Sequence, residues 1–345
     1  MRAPIPGGGN CIHRSRPEYN GLVEFRRIFV SYWSHQRGDP SHRTPRSPNC
    51  WIERTLTRIR AVESKPEKPQ RADTREVIEL RQLKEDQPDL SEAIDLQIQL
   101  LQMQRRVQSR VPLPPMNLDA AHLERVLASG KPILDFDQIP IDWSDLRFLV
   151  RSTADAMRTH DAIEPDDYRR VETLSRDAGA LAPAMRNWYE AARAVPAGGH
   201  EVSAEIAGLE SLLLQAMRPF LSRCADAIMA RSTFNGWNHG NCPLCGGEPD
   251  FSLITPAAER LLICSRCTSR WRFDQLACPF CLNADRSRIT SFATRDGLYR
   301  LNGCDVCQRY VKAFDGRTAH RQFMPSVDSI ATLPLDAAAA QRGYR

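Results

Sequence analysis

The chain has 345 residues, 42% of them hydrophobic and 26% charged, with a formal charge of +5. That leaves room for two or more domains and enough apolar content to bury a core. The longest apolar runs, such as residues 212–214, fall far short of the roughly 18 residues needed to cross a bilayer, so no membrane insertion is expected.

The positive charge is unevenly placed. Residues 1–50 carry eight arginines against three acidic residues, which leaves residues 51–345 balanced. Residues 242–345 hold fourteen Lys/Arg against ten Asp/Glu. Specific nucleic-acid binders show a stronger and more clustered basic stripe, so nucleic acid is not the expected partner.

Residues 1–70 combine Gly7-Gly8-Gly9 with scattered prolines and arginines and little apolar periodicity. They are expected to be an unfolded extension, or sequence ahead of a misassigned start. The first 30 residues lack an apolar stretch before a small-residue cleavage site, and Glu18, Glu24 and Asp39 argue against a transit peptide. The expected location is therefore the cytoplasm, where thiols stay reduced and paired cysteines serve as metal ligands rather than disulfides. Cys11, Cys50 and Cys224 fall outside any pairing and are expected to be free thiols without a role.

Residues 71–231 have the pattern of one helical domain. Asp89, just after Pro88 and three residues before Glu92, suggests a capping box. Leu90, Ile94, Ile98 and Leu101 then follow at helical spacing, and Pro112, Pro114 and Pro115 end the helix. Further amphipathic segments span residues 119–128, 142–159, 166–177, 183–194 and 202–231. His122, His160 and His200 are isolated and are expected at the surface or at helix ends. No nucleophile–base pair or carboxylate pair has catalytic spacing, so no enzyme activity is expected.

From residue 242 the pattern changes to short strands and paired cysteines. Eight of the eleven cysteines form four Cys-x-x-Cys pairs within 66 residues: Cys242/Cys245, Cys264/Cys267, Cys278/Cys281 and Cys304/Cys307. The two-residue gap lets both thiolates of a pair face one ion while turn amides hydrogen-bond to the sulfurs. Two such knuckles make a tetrahedral four-thiolate site, suited to zinc or to iron. Loops of 18, 10 and 22 residues separate the pairs. Sequential pairing needs only local hairpins and is the expected arrangement: Cys242, Cys245, Cys264 and Cys267 around one ion, Cys278, Cys281, Cys304 and Cys307 around the other. An interleaved cross-brace would also supply four ligands per ion.

Residues 289–294 and 298–301 around Asp296-Gly297 form the clearest hairpin, and strands are expected at 261–263, 270–273 and 310–314. The fold class is thus α+β, with a mostly helical N-terminal domain followed by two small tandem rubredoxin-like or zinc-ribbon-like β modules. These span 242–277 and 278–324 within a metal-binding region of 242–324, and 325–345 form a helical tail. Such small β units draw much of their folding free energy from metal ligation. A Cys-to-Ser change in one knuckle should therefore loosen its own ribbon and leave the helical domain folded.

Three cysteine blocks carry a likeness to a known family. They are Cys242-Pro-Leu-Cys-Gly-Gly-Glu-Pro-Asp-Phe-Ser252, Leu262-Ile-Cys-Ser-Arg-Cys-Thr-Ser-Arg-Trp271 with Leu276-Ala-Cys-Pro-Phe-Cys281, and Cys304-Asp-Val-Cys-Gln-Arg-Tyr-Val-Lys312. With the tail Val327-Asp-Ser-Ile-Ala-Thr-Leu-Pro-Leu-Asp336, these resemble the formate dehydrogenase accessory proteins, the FdhE family. The likeness covers residues 58–345. Single Asp328 stands where the family often has two acids, and Leu301-Asn302-Gly303 stands where it tends to have an acidic residue.

The resemblance implies a cytoplasmic maturation factor with two rubredoxin-like iron sites on the eight paired cysteines. It also implies binding to the catalytic subunit of a respiratory formate dehydrogenase before twin-arginine export. Two other functions fit parts of the sequence. A tetrathiolate iron suits a rubredoxin-type electron carrier, although such a carrier needs no helical domain. Arg266, Arg270, Arg272, Arg286 and Arg288 near the knuckles suit a nucleic-acid-binding zinc ribbon. Trp271 and Phe273 are expected in the ribbon core, with partner contact as the alternative.

Overall fold

The computed structural model describes residues 74–191, 193 and 209–345. The expectations for residues 1–70, for His200 and for a helix start at Val202 lie outside these residues.

Seven helices come first: α1 (Arg75–Asp86), α2 (Ser91–Gln108), α3 (Ala120–Ala128), α4 (Trp143–Thr159), α5 (Pro165–Arg176), α6 (Ala178–Ala191) and α7 (Glu210–Met229). Their starts follow from local chemistry. The Asp119 carboxylate accepts from the His122 amide, and Asp142 accepts from the amides of Ser144 and Asp145, so two otherwise orphaned helix ends are satisfied. Pro165 opens α5, where its missing N–H costs nothing.

The capping box at Asp89 and Glu92 does not form. Residues Pro88–Leu90 make a single tight 3-10 turn instead, and α2 begins at Ser91 with no side-chain cap. Glu92 is turned away and pairs with His160 at 2.9 Å. The proline at the head of that turn shifts the helix start beyond Asp89.

Helices α2, α4 and α7 pack together around Leu100, Leu149, Leu213, Met217 and Phe220. Helix α7 buries a wide apolar face and keeps Gln215, Arg218, Ser222 and Asp226 along one narrower polar side. No described helix is long and apolar enough to cross a membrane.

The C-terminal part holds six strands: β1 (Pro249–Ile254), β2 (Arg260–Cys264), β3 (Arg270–Arg272), β4 (Ile289–Ala293), β5 (Tyr299–Cys304) and β6 (Arg309–Asp315). The hairpin between β4 and β5 turns at Gly297, whose φ of 71° suits glycine. The order across the sheet is β3-β2-β1-β6-β5-β4. Each half is an antiparallel ribbon, and the halves join through a parallel pair that matches Phe251 with Lys312 and Ile254 with Asp315. The two ribbons are therefore continuous in one sheet. Strand β1, which makes that join, had no separate signal in the sequence.

Helices α8 (Pro325–Ala331) and α9 (Leu333–Gln341) form the tail. Val327, Ile330 and Leu333 pack against Leu80, Ile94 and Leu101 of α1 and α2, so the tail closes back onto the first helices. Two buried carboxylates tie it to the sheet. Asp328 accepts from Tyr299 Oη at 2.6 Å and from two nitrogens of Arg321 at 2.6 and 3.1 Å. Asp336 accepts from Tyr310 Oη and Lys312 Nζ, both at 2.8 Å. The Tyr344 ring lies where a Cβ on residue 303 would sit, 2.6 Å away, which accounts for glycine in Leu301-Asn302-Gly303.

Candidate metal centres

Each of the four Cys-x-x-Cys segments folds into the same turn. The amide of the residue after the second cysteine donates to the carbonyl of the first: Gly246 to Cys242, Thr268 to Cys264, Leu282 to Cys278 and Gln308 to Cys304. All four of those residues have positive φ, between 56° and 75°. Only the first is glycine. Three knuckles hold a side chain in the left-handed region, a local cost of order 1 kcal/mol each that the surrounding structure must over-determine.

The structure brings the knuckles together in sequential pairs. The sulfurs of Cys242, Cys245, Cys264 and Cys267 lie within 4.8 Å of one another, as do those of Cys278, Cys281, Cys304 and Cys307. The shortest separations are 3.5 and 3.6 Å in the first group and 3.6 and 3.7 Å in the second. An ion bonded to four sulfurs at about 2.3 Å sets those sulfurs roughly 3.8 Å apart. Each group could therefore hold one metal ion with little movement.

Ionisation points the same way. Burial pushes the Cys264 and Cys267 thiols well up. Burial also opposes ionisation of Cys245, yet hydrogen bonds from the other three thiols hold it well below the usual range. In the second group the Cys307 hydrogen bond brings Cys278 down to about 5, and the same bond pushes Cys307 up. Without a cation, four thiolates so close cannot all stay charged; a bound cation removes the conflict.

The two centres differ sharply in surroundings. All four cysteines of the first are buried, and they belong to the same apolar core as α2, α4 and α7. In the second, Cys281 is exposed and Cys307 half-buried. Segment 133–134 adds backbone bonds to the first knuckle, from Ile133 to the Pro243 carbonyl and from Leu134 to the Leu244 carbonyl, both at 2.9 Å. Arg266, inside the second knuckle, is buried, stacks 3.9 Å over Trp188 and donates to the carbonyls of Trp188 and Tyr189.

Arg266 is thus a clamp between knuckle and helix α6, not a surface cation for nucleic acid. Arg270, Arg272, Arg286 and Arg288 are exposed, and Arg272 pairs with Glu259 at 3.0 Å. Trp271 is 1% exposed and donates to the His239 carbonyl, and Phe273 packs partly buried on the same core. Cys224 is buried in helix α7 and belongs to neither four-sulfur group, and burial pushes its thiol up to about 12, which disfavours the reactive thiolate.

Ser269 is a site residue that spacing alone did not single out. Its buried hydroxyl lies 2.9 Å from the Cys242 sulfur and 3.1 Å from that of Cys267. Its counterpart at the fourth knuckle is Arg309, and among the described residues a hydroxyl against the sulfurs is found at the first centre alone. Ser269→Ala is expected to lower metal affinity at the first centre by about ten-fold and leave the second unchanged, as loss of an outer hydrogen bond does. Competition with a chromogenic chelator measures both; equal affinities in variant and parent would contradict the role.

No family model matches the chain. A curated relative, the protein FdhE homolog of Aquifex aeolicus (strain VF5), is 23% identical over 268 residues, covering 76% of this chain and 88% of that protein. Among solved structures, the crystal structure of the FdhE protein from Pseudomonas aeruginosa matches with a TM-score of 0.55 and 21% identity. It covers 79% of this chain and 91% of that one. The structural match concerns the fold; together the two comparisons bear out the likeness seen in the cysteine blocks and the tail.

Proposed function

From the likeness to the FdhE proteins, we propose that this chain is a maturation factor for a respiratory formate dehydrogenase. It binds the enzyme's catalytic subunit in the cytoplasm and holds it until it is ready for twin-arginine export. Cys242, Cys245, Cys264 and Cys267 hold one metal ion, and Cys278, Cys281, Cys304 and Cys307 hold the other. The ion is iron, with zinc as the alternative the ligands also accept. No catalysis is required of the chain in this role.

One observation carries the reading. Two four-sulfur groups with metal-site spacing sit on a chain that matches an FdhE homolog over most of both lengths. The helical domain supports it too, because a small electron carrier has no use for so large a second body. The exposed Cys281 and half-buried Cys307 favour a second reading, electron transfer through the second centre.

The test is affinity purification of the tagged full-length protein from its own host while formate dehydrogenase is being made. The catalytic subunit is expected to co-purify. Its absence under those conditions would remove the maturation role. The same preparation distinguishes the metals: ferric tetrathiolate absorbs strongly in the visible, whereas a colourless protein with two zinc ions would overturn iron.

A further inference from the structure

The outer face of the sheet carries a second feature, which borders the second cysteine centre at Cys278 and Cys304. Where β1, β6, β5 and β4 run side by side, a basin of about 480 Å³ opens between them and the 275–280 segment. That volume is in the range of a small-molecule site. Five arginines line it, Arg260, Arg286, Arg300, Arg309 and Arg317, and no carboxylate does.

The strand alternation explains the arrangement. Arg300 and Asn302 on β5 project to the same face as Val311 and Ala313 on β6, their cross-strand partners. Val311 and Ala313, at 2% and 1% exposure, give the basin an apolar floor. Ser291 on β4, opposite Asn302, adds a hydroxyl beside its amide. Lys312, Tyr310 and Phe314 point to the other face, where the tail covers them.

The arginines are not neutralised by one another's partners. Glu248 takes Arg309 in a two-fold bond at 2.5 and 2.7 Å. Asp315 takes Arg317 at 2.6 and 2.8 Å and reaches Arg300 only at 3.7 Å. Arg260 is buried and donates only to the carbonyls of Asp274 and Ala277. The exposed Arg286 guanidinium has no partner among the described residues. Two carboxylates thus stand against five guanidiniums. Cys278 and Cys304 at one end absorb part of the excess when ionised, but Arg286 and Arg300 keep their donors free.

We propose that this basin binds a phosphate-bearing ligand of mononucleotide size. The guanidiniums grip the phosphate oxygens in paired bonds, and the apolar floor with Asn302 and Ser291 receives a planar ring. An acidic peptide fits less well. The floor strands β5 and β6 lie inside the sheet with a neighbour on each side, so an extended peptide lying on the floor gains no backbone bonds there; only β4, at the rim, has an open edge.

The test uses the full-length, metal-loaded protein and isothermal titration with ADP, pyrophosphate, adenosine and a hexaglutamate peptide at physiological salt. ADP is expected to bind more tightly than pyrophosphate, and adenosine only weakly. Arg286→Ala and Arg300→Ala should each weaken ADP by about ten-fold or more, because each removes a charged hydrogen-bond donor. Both side chains are partly or fully in solvent, so metal content and melting temperature should stay at the parent's values. The proposal falls if ADP gives no binding up to millimolar concentration, if both variants bind ADP with the parent's affinity, or if hexaglutamate binds and ADP does not.

Discussion

Cys264→Ser is expected to destabilise the whole molecule, helices included, whereas Cys281→Ser should be felt only around the second centre. Cys264 is 2% exposed and lies in the core that α2, α4 and α7 share. Losing its thiolate releases the first ion and leaves three sulfurs and a hydroxyl packed among apolar side chains. Structural zinc contributes on the order of 10 kcal/mol to the folding of small domains, so forfeiting even half would lower the melting temperature by roughly 10 °C or more. Arg266 and segment 133–134 then lose the knuckles they are fastened to.

Cys281, by contrast, is exposed, and β4–β6 keep their place through the parallel pairing with β1. Its variant should lose one ion with a shift of only a few degrees. Calorimetry combined with hydrogen exchange on α2 and α7 separates the two cases. Unchanged protection of those helices in Cys264→Ser would show that the core is not shared energetically. The outcome expected for Cys264→Ser differs from the one drawn from spacing, in which a knuckle change leaves the helical domain folded, because the first centre's cysteines share the core of the helices.

Removing either member of the Lys312–Asp336 pair is expected to cost about 3–5 kcal/mol, the usual penalty for stranding one buried charge. The side chains are 1% and 3% exposed and 2.8 Å apart. In Lys312→Ala the Asp336 carboxylate keeps the Tyr310 hydroxyl but loses the Lys312 ammonium. Lys312 also lies 4.7 Å over the Phe251 ring, so the ammonium holds strand β1 as well as helix α9. The double variant Lys312→Met/Asp336→Leu should recover most of the loss, because matched apolar groups need no partner. Urea unfolding of the parent, Lys312→Ala and the double variant measures both the loss and its recovery. A Lys312→Ala protein within 1 kcal/mol of the parent would mean that water already reaches the pair.

The legible parts of this structure were those set by neighbours in sequence. Cys-x-x-Cys spacing, the Asp296-Gly297 turn and the helical periodicity of 119–128 and 142–159 each depend on a few adjacent residues, and each is found where the pattern placed it. What escaped depends on distant contacts. The parallel pairing of β1 with β6 links residues some 60 positions apart, and neither strand carries a mark of its partner. Arg266 resembled the other arginines near the knuckles, yet its targets at Trp188 and Tyr189 lie 78 and 77 positions away. The Asp89 cap failed for a local reason, since the proline before it favoured a tighter turn.

The closure of α8 onto α1 and α2 bears on how the chain is born. Leu80 and Ile94 emerge from the ribosome long before Val327 and Ile330, which cover them. At about 5–20 residues per second, that interval is on the order of 10–50 s. Throughout it the newborn helices expose an oily strip that is hidden only once Val327 and Ile330 have left the ribosome. A nascent chain stalled ahead of Val327 therefore presents a sticky surface to chaperones, and emergence of α8 is what shuts it.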